Sequence, residues 1–450
     1  MATSANILQA VQTYQKSGLA RLVNMFAGIA KSNKKFQNFE NMTANLGNTV
    51  TYDSPPRAYA NVGLVVSSFD TVEQRVNTLT VGGFDSAGAP LVGGFYDSYG
   101  NLNAANVNYA VSAEQLIFNI DNNDYRKVFE EYSMVELGTV VERSILNRFI
   151  NDTYRFYTAG VDPTTKLVNP ISSFAQLAFA ESKFKDYGCP SKGDYEAFIP
   201  NMAVSSIIAT GQNKFTLDSN NKRFNSWEIG VFDSFNYNRS NLLPVHIAGT
   251  MGINQDSLTV TSFVTNADGG INSITFSGAS TNNAGAALRG DLGYFVHGVA
   301  GQPDLSYLTF TGHSVSEVDV QFQVTADATS AAGNVTLSIF PTLYSAPGKN
   351  QNINAPIAVG MKILLMPSHR AGVMYAGSPF YLAMPQLPDQ APFTTSSLAD
   401  AESGAAIRLT TGSAFGQNLT GSIFDSIWGA KLTPEYGMRM LFPVNTGFTS

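Results

Sequence analysis

The sequence contains little charge and almost no cysteine. Asp, Glu, Lys and Arg make up 14% of the 450 residues, whereas about 25% is usual in soluble domains. Such an exterior suits burial against partners, because interface cores are poor in charge and rich in aromatic side chains. Cys189 is the sole cysteine, so an intrachain disulfide is impossible and nothing indicates an oxidising compartment. We therefore expect a protein made in the cytosol, with much of its surface covered by other subunits.

Long apolar runs are also missing. No stretch reaches the roughly 18 apolar residues that a membrane-spanning helix requires. Near the N-terminus, Arg21 interrupts the apolar segment that an export signal would need to keep continuous. The sequence therefore predicts neither membrane insertion nor export by a standard signal.

Acidic residues do not occur before Glu40, although the net charge of the chain is −7. The charged residues of this segment are all basic: Lys16, Arg21, Lys31, Lys34 and Lys35. Its apolar residues recur at roughly helical spacing, which favours an amphipathic helix. A transit peptide would be richer in Arg, and a nucleic-acid arm would be more densely basic. We interpret residues 1–47 as a cationic arm that docks on a partner.

Residues 48–112 alternate short β-like runs, such as 63–66 and 76–81, with Gly-rich turns. This pattern predicts an extended β-hairpin loop. A small repeat, Gly-Gly-Phe-Asp-Ser at 82–86 and Gly-Gly-Phe-Tyr-Asp-Ser at 93–98, suggests the two strands of a loop tip.

Residues 121–157 carry the clearest helical periodicity in the chain. The predicted apolar stripe consists of Tyr125, Val128, Tyr132, Val135, Val141, Ile145 and Phe149. At 1.5 Å per residue, such a helix would extend to about 50 Å. Shorter helices are predicted at 172–187 and 194–210, so that 113–251 forms an α+β body.

Residues 252–345 differ in composition and pattern from the preceding region. They contain no Lys and a single Arg, Arg289, and apolar residues alternate with polar ones in most of their runs. The runs at 318–324 and 335–339 predict half-buried strands, and turns are predicted at 268–270 and 332–334. We expect a separate all-β barrel or sandwich inserted into the chain. The remaining residues, 346–450, return to a mixed texture, with strands predicted at 359–366, 380–384, 406–410 and 438–442.

Motifs for catalysis or metal binding are incomplete. The pair Gly348-Lys349 is followed by Asn350 and not by the Ser or Thr of a phosphate-binding loop. The four histidines lack the short spacings of metal ligands, although distant residues can converge in a fold. They are His246, His297, His313 and His369. Residues 312–316 partly match a nucleophile elbow, but Ser316 replaces its second glycine, so we interpret them as a turn.

Other reactive side chains also favour structural interpretations. The carboxylates of the long helix are interleaved with Arg143 and Arg148, which favours a solvated or interface face; they are Glu130, Glu131, Glu136 and Glu142. Cys189 has no evident His partner and is interpreted as inert. Residues 218–221 open like a calcium loop but lack its central Gly and closing Glu. Dispersed basic residues argue against sequence-specific DNA binding. We predict no catalytic, cofactor-binding or metal-ligating residue.

The order of these parts resembles the major capsid (coat) proteins of tailed double-stranded-DNA bacteriophages. The resemblance sharpens in the C-terminal region, where Ser-His-Arg-Ala-Gly-Val-Met-Tyr at 368–375 is followed by Phe-Tyr-Leu-Ala-Met-Pro-Gln-Leu-Pro at 380–388. Further on, Ala-Ile-Arg-Leu-Thr at 406–410 precedes an Asp-x-x-x-Gly motif at 425–429 and a Pro-Glu-x-x-x-Arg motif at 434–439. The coat protein of short-tailed Salmonella phages is the nearest subtype, because of the inserted β domain.

The resemblance implies an α+β, HK97-like fold. In that family the hairpin at 48–112 is the loop that reaches over a neighbouring subunit, and the long helix is the spine of a peripheral domain within 113–251. That range also begins an axial domain, to which 346–450 returns. The loop contains no Lys, so the covalent crosslinking of some members is not expected through this loop.

The resemblance also implies self-assembly into hexamers and pentamers of an icosahedral head, built in the host cytoplasm and present in the virion. The head would enclose double-stranded DNA without sequence-specific binding. The implied partners are other copies of the chain, a scaffolding protein, a portal and a decoration protein, and no cofactor is implied. Two alternatives are an encapsulin-type nanocompartment shell protein and a secreted β-rich binding protein.

Overall fold

The computed structural model describes most of the chain between residues 49 and 444. The described residues are 49–53, 59–60, 76–82, 101–112, 122–188, 195–204, 207, 228–232, 234–377, 379–389, 393–399, 405–413 and 419–444. The predictions for the arm at 1–47, the strand at 63–66, the repeat beyond residue 82, Cys189 and residues 218–221 lie outside this part of the chain.

Strands far outnumber helices in the described residues. The first elements are β1 (Thr49–Asp53), β2 (Val76–Thr80), β3 (Ala104–Ser112), α1 (Asn122–Asp152) and β4 (Phe156–Tyr157). They are followed by α2 (Phe174–Asp186), β5 (Tyr195–Pro200), β6 (Glu228–Phe232), β7 (Phe235–Ser240), β8 (Val245–His246) and α3 (Thr250–Asn254). Within the described part of the chain, no helix is long and apolar enough to cross a membrane.

The second half of the chain is almost entirely β-structure. Its first strands are β9 (Leu258–Thr265), β10 (Ile271–Ser277), β11 (Leu292–Phe295), β12 (Ser306–Leu308), β13 (Val315–Asp319), β14 (Gln321–Val324), β15 (Asn334–Leu343) and β16 (Lys362–Leu365). The last are β17 (His369–Ala376), β18 (Phe380–Ala383), β19 (Thr394–Ala399), β20 (Ala406–Ser413), β21 (Leu419–Ile427), β22 (Gly429–Leu432) and β23 (Gly437–Pro443). The four strands predicted between 359 and 442 are confirmed as β16, β18, β20 and β23.

The chain divides into two compact units. Unit 1 is drawn from Met1–Tyr52, Val76–Arg148 and Phe380–Lys431, and unit 2 from Asp53–Arg75, Phe149–Pro379 and Leu432–Ser450. In unit 1, an antiparallel sheet has the strand order β19-β20-β21-β3. Two shorter pairs, β1 with β2 and β18 with β22, accompany it.

The long helix predicted at 121–157 is confirmed as α1, which ends earlier than predicted, at Asp152. Leu137, Val141 and Ile145 are fully buried at a spacing of four residues, as a helix face requires. Tyr132 is 72% exposed, so its predicted place on the stripe is wrong. At about 100° per residue it lies roughly 140° around the helix from Leu137.

The helix ends at Asp152 because tertiary contacts take over the following backbone. The Thr153 hydroxyl donates to the carbonyl of Phe149 at 2.7 Å, which satisfies one terminal acceptor. Phe156 then enters strand β4, which pairs in parallel with β23 opposite Arg439.

A seven-stranded sheet in unit 2 has the order β4-β23-β17-β5-β7-β6, with β8 also paired to β17. Helix α2 packs on one face of this sheet through Phe174, Leu177 and Phe184, and confirms the helix predicted at 172–187. Ser173 begins the helix with a capping box, in which its hydroxyl accepts from the N–H of Gln176.

The helix predicted at 194–210 is wrong, because its first part is strand β5. Ala197 and Ile199 face the core beneath α2, and Phe198 stacks on Tyr375 at 6.1 Å on the opposite face of the sheet. A strand buried on both faces has no alternation of apolar and polar residues to read. Helical structure begins only at residue 201.

Residues 258–365 contain a closed barrel with the strand order β10-β15-β14-β11-β16-β9. The prediction for 335–339 is confirmed, since Val335, Leu337 and Ile339 are buried in the barrel core. The predicted turn at 268–270 directly precedes β10, and the one predicted at 332–334 runs into β15, which begins at Asn334. Strand β16 closes the barrel from a position beyond 345, where the β region was predicted to end.

The single half-buried strand predicted at 318–324 is wrong, because it divides at Val320 into β13 and β14. Only β14 joins the barrel, and all four of its residues are buried. Gln321 is buried because its side-chain amide accepts from the N–H of Phe156 at 2.8 Å and donates to the Phe156 carbonyl at 2.9 Å. A Gln whose amide forms hydrogen bonds with a neighbouring backbone can therefore be buried, although its polarity predicts an exposed position.

Candidate functional site: a buried polar junction

Two of the four histidines meet in unit 2. His246 on β8 lies opposite His369 on β17, and their ring centroids are 5.4 Å apart. Both side chains are buried, with exposed fractions of 6% and 0%. Because the two residues are far apart in the sequence, their spacing could not predict this contact.

A buried carboxylate holds His246. Oδ1 of Asp291 lies 2.7 Å from Nε2 of His246, and an ionised carboxylate only accepts, so this nitrogen is the donor. The N–H groups of Gly249 and Leu288 donate to Oδ2 at 3.1 and 2.8 Å. Asp291 directly precedes β11, so these bonds connect the barrel to β8. No sequence signal distinguished Asp291 from the other acids of the β region.

Arg439 on β23 brings a positive charge to the same place. Its Nη1 donates to the carbonyl of Gly290 at 3.2 Å, and its Nη2 donates to that of Thr153 at 2.7 Å. Burial lowers the pKa of Arg439 to about 9, and the charge of Asp291 opposes that shift. The guanidinium therefore remains charged at neutral pH.

His369 completes the cluster in its neutral form. Its Nδ1 lies 2.8 Å from the carbonyl of Pro367 and is therefore the donor. Its Nε2 is buried without a hydrogen-bond partner. Burial lowers the pKa of His369 well below its usual value, and His246 and Arg439 lower it further. We refer to His246, Asp291, His369 and Arg439 as the polar junction.

A second buried arginine, Arg155, was not identified from the sequence. Its Nη2 donates to the carbonyls of Glu435 and Gly437 at 2.8 and 3.2 Å. Its guanidinium lies over the rings of Phe184 and Tyr187, 4.9 and 4.3 Å from their centroids. The Pro-Glu-x-x-x-Arg motif at 434–439 thus contributes backbone acceptors as well as Arg439. Its position between two aromatic residues, at 154 and 156, was the feature of the sequence that could have indicated burial.

The Asp-x-x-x-Gly motif at 425–429 serves a similar purpose in unit 1. Asp425 and Arg408 are cross-strand partners on β21 and β20, and Nε of Arg408 donates to Oδ1 at 3.0 Å. Gly429 packs so closely that a Cβ built there would lie 2.4 Å from the carbonyl oxygen of Thr80. The motif therefore fixes a strand pair and a close backbone approach.

The other sequence candidates lie apart from the polar junction. The turn interpretation of 312–316 is confirmed only for its first part, where His313 has φ 49°, because Val315 and Ser316 already belong to strand β13. His297 contacts the Leu305 carbonyl at 2.6 Å and Asp319 at 3.3 Å. Glu136 is exposed, whereas Glu142 is 4% exposed, so the predicted solvated or interface face is wrong for Glu142. Glu142 adjoins Val141 on the buried side of α1.

Among the described residues, no group of three or more His, Cys, Asp or Glu is arranged to hold a metal ion. The donors and acceptors of the polar junction are directed mainly at backbone groups of other strands. Such an arrangement stabilises the fold, because buried polar groups are costly unless they are hydrogen-bonded.

Unit 1 exposes a contiguous apolar surface on its four-stranded sheet. Leu419 and Ile423 are 42% and 41% exposed and flank Gly421 on β21. Gly421 lies opposite Gly412 on β20, and Gly412 is close to the ring of Phe393, which is 51% exposed. We refer to these five residues as the sheet-face patch. Apolar patches of this kind mark interaction surfaces when they are sufficiently large.

Unit 2 also exposes large apolar side chains, on several of its elements. They are Phe179, Met202, Val245, Ile247, Ile253, Val264, Val315 and Val359. The exposed fraction reaches 66% for Phe179 and 77% for Met202.

Comparisons with solved structures find chains of bacteriophages. A chain of Mycobacterium phage Che8 is 9% identical, with a TM-score of 0.41 and coverage of 92% of this chain and 90% of that chain. A chain from the capsid of Ralstonia phage GP4 is 7% identical, with a TM-score of 0.38 and coverage of 90% of this chain and 86% of that chain. A chain of the capsid asymmetric unit of cyanophage Pam1 is 6% identical, with a TM-score of 0.40 and coverage of 92% of this chain and 88% of that chain.

No known protein-family profile matches the sequence, and no curated protein matches it. These solved structures are at most 9% identical to this chain and have TM-scores of at most 0.41, so no function is transferred from them.

Proposed function

We propose that this chain is the major capsid protein of a tailed double-stranded-DNA bacteriophage, a structural shell subunit with an α+β, HK97-like fold. It assembles into hexamers and pentamers of an icosahedral head that encloses DNA without reading its sequence. The inserted β domain of the short-tailed Salmonella phage subtype corresponds to the barrel region. The protein's role is structural: each subunit buries surface against several neighbouring subunits of the shell.

The observation that carries the proposal is the placement of the C-terminal segments that resemble coat proteins. The segment at 368–375 supplies β17, and Arg439 belongs to β23, which pairs with β17 along seven consecutive residues. Their polar residues, His369 and Arg439, are fully buried. This placement supports the interpretation of these motifs as elements that hold a shell subunit together.

Surface composition supports the same proposal. The sheet-face patch contains no charged residue, and the neighbouring charges of Arg408 and Asp425 neutralise one another. Uncharged surfaces with exposed apolar side chains are costly to hydrate and favourable to bury against another subunit. The net charge of −7 suits the wall of a DNA container, because phosphate contacts require basic residues.

The partners in this proposal are other copies of the chain, a scaffolding protein, a portal and a decoration protein. The virion is the location of the assembled protein, and assembly occurs in the host cytoplasm. The basic arm at 1–47 is the element proposed to meet an acidic scaffold.

Sedimentation combined with negative-stain microscopy tests the proposal. The full chain is expressed in bacteria, alone and together with its neighbouring genes. We expect shells, tubes or spirals that sediment far faster than a 48.3 kDa chain. A monomer under both conditions would contradict the proposal and favour a secreted binding protein. Shells filled with a protein cargo would instead favour a nanocompartment.

A further inference from the structure

The polar junction joins the barrel to the seven-stranded sheet. Gly290 and Asp291 directly precede the barrel strand β11, and each is held by the sheet: Gly290 accepts from Arg439 on β23, and Asp291 accepts from His246 on β8. The packing there is tight. A Cβ built on Gly290, whose φ is +91°, would lie 3.0 Å from Cε1 of His246.

The charges of the junction offer no compensation for a proton on His369. Asp291 contributes one negative charge and Arg439 one positive charge. The groups that face His369 are His246 on β8 and Arg439 on β23, and Asp291 faces both of these from the start of β11. A proton on His369 would add a second positive charge beside Arg439. The buried Nε2 would have no acceptor to receive the new N–H.

We propose that the polar junction is an acid-sensitive latch, in which protonation of His369 releases the start of β11 from the sheet and loosens the barrel. The latch belongs to the single subunit, so it does not depend on the proposed function. Opening hydrates the His369 ring and gives the newly protonated Nε2–H a water acceptor.

The direction of the pH effect follows from the environment of His369. Burial lowers the pKa of His369 in the closed state, so the open state binds the proton more readily. The closed state is therefore fully favoured above the unperturbed value of about 6.5 and loses stability as the pH falls below it. With one proton taken up, the opening equilibrium constant rises about tenfold for each pH unit.

Hydrogen exchange measured by mass spectrometry on the full chain tests the latch between pH 7.5 and 5.0. After correction for the intrinsic effect of pH on exchange, protection of peptides covering 286–292 and 367–372 should fall about tenfold per pH unit below 6.5. The His369→Asn variant keeps a donor for the Pro367 carbonyl and cannot take up the proton, so it should lose this dependence.

The matched control is His313→Asn. It removes a histidine from a turn where φ is 49°, a conformation that Asn tolerates, and it should retain the wild-type pH dependence. Protection that does not change with pH in the wild type, or an identical pH dependence in His369→Asn, would overturn the latch.

A second measurement covers the case in which His369→Asn does not fold. The sequence contains four histidines, so a chain labelled with ¹³C at the imidazole Cε1 should give four resolved signals. We expect one signal to keep its neutral position well below pH 6 until the junction opens. Four signals that all titrate near pH 6.5 would rule out the latch.

Discussion

His369, Arg439 and Arg408 are polar side chains on strands, and each is less than a tenth exposed. Their partners are mostly backbone carbonyls and carboxylates from distant parts of the chain. Nη1 of Arg408, for example, donates to the carbonyl of Pro388 at 2.8 Å in addition to its pairing with Asp425. Individual buried polar and charged side chains therefore hold strands in position within each unit.

Replacement of Arg439 by Met should destabilise the protein strongly. The change leaves the carbonyls of Gly290 and Thr153 without their donor and removes the cation that balances buried Asp291. Leaving buried hydrogen-bonding groups without a partner costs about 1–3 kcal/mol, and more where a charged group is involved. Chemical denaturation at pH 7.5 would measure the loss in the free energy of unfolding.

Arg143→Met is the matched control for that variant, because Arg143 is exposed on α1. A surface substitution of this kind should change the free energy of unfolding by less than about 0.5 kcal/mol. Equal effects of the two variants would show that Arg439 has no special structural role.

Helix α2 permits a direct test of one local signal in the sequence. Ser173→Ala removes the hydroxyl that caps the helix, so the free energy of unfolding should fall by about 1 kcal/mol. Ser182→Ala on the same helix removes only an exposed hydroxyl bonded to the Ala178 carbonyl and should be nearly neutral. Thermal denaturation of both variants distinguishes capping from a general effect of Ser to Ala.

The Asp-x-x-x-Gly motif can be tested through its glycine. Gly429→Ala would place a methyl group 2.4 Å from the Thr80 carbonyl oxygen, so β2 or β22 must shift, at a cost of about 1–3 kcal/mol. Gly421→Ala is the control, since its nearest neighbour would be 3.8 Å away. If Gly429→Ala is as stable as Gly421→Ala, the close approach does not constrain the fold.

Elements with regular periodicity could be predicted from the sequence. Helices α1 and α2 and the alternating strand β15 follow apolar spacing, and their predictions hold. Strand β5 was missed because both of its faces are buried, which removes the alternation. The division at Val320 was missed because Gln321 bonds the backbone of Phe156, a residue from another part of the chain. The polar junction could not be predicted for the same reason, since its members converge only in the fold.

At the scale of the whole molecule, low charge and exposed apolar side chains occur together. The chain is 14% charged, and both units carry large apolar side chains on their surfaces. A monomer would gain nothing from such surfaces, whereas a subunit that is covered on several sides would bury them. In the proposed shell, the exposed apolar side chains of both units would be buried in contacts between subunits.

The basic arm gives a prediction about assembly with a scaffold. Reversing Lys31, Lys34 and Lys35 to Glu should reduce the uptake of an acidic scaffolding protein into particles, because opposite charges steer such encounters. Gel quantification of scaffold in sedimented particles measures the effect. Reversal of the exposed Lys166 and Lys362 is the control and should leave uptake at the wild-type level. Unchanged uptake in the triple variant would contradict a role of the arm in scaffold docking.

Cryo-electron microscopy of particles from the expressed chain distinguishes a shell subunit from any other kind of protein. We expect closed shells in which this chain forms both six-membered and five-membered rings, with the sheet-face patch buried between subunits. Particles without such rings, or a chain that remains monomeric at every concentration and with every neighbouring gene, would contradict the assignment as a capsid protein.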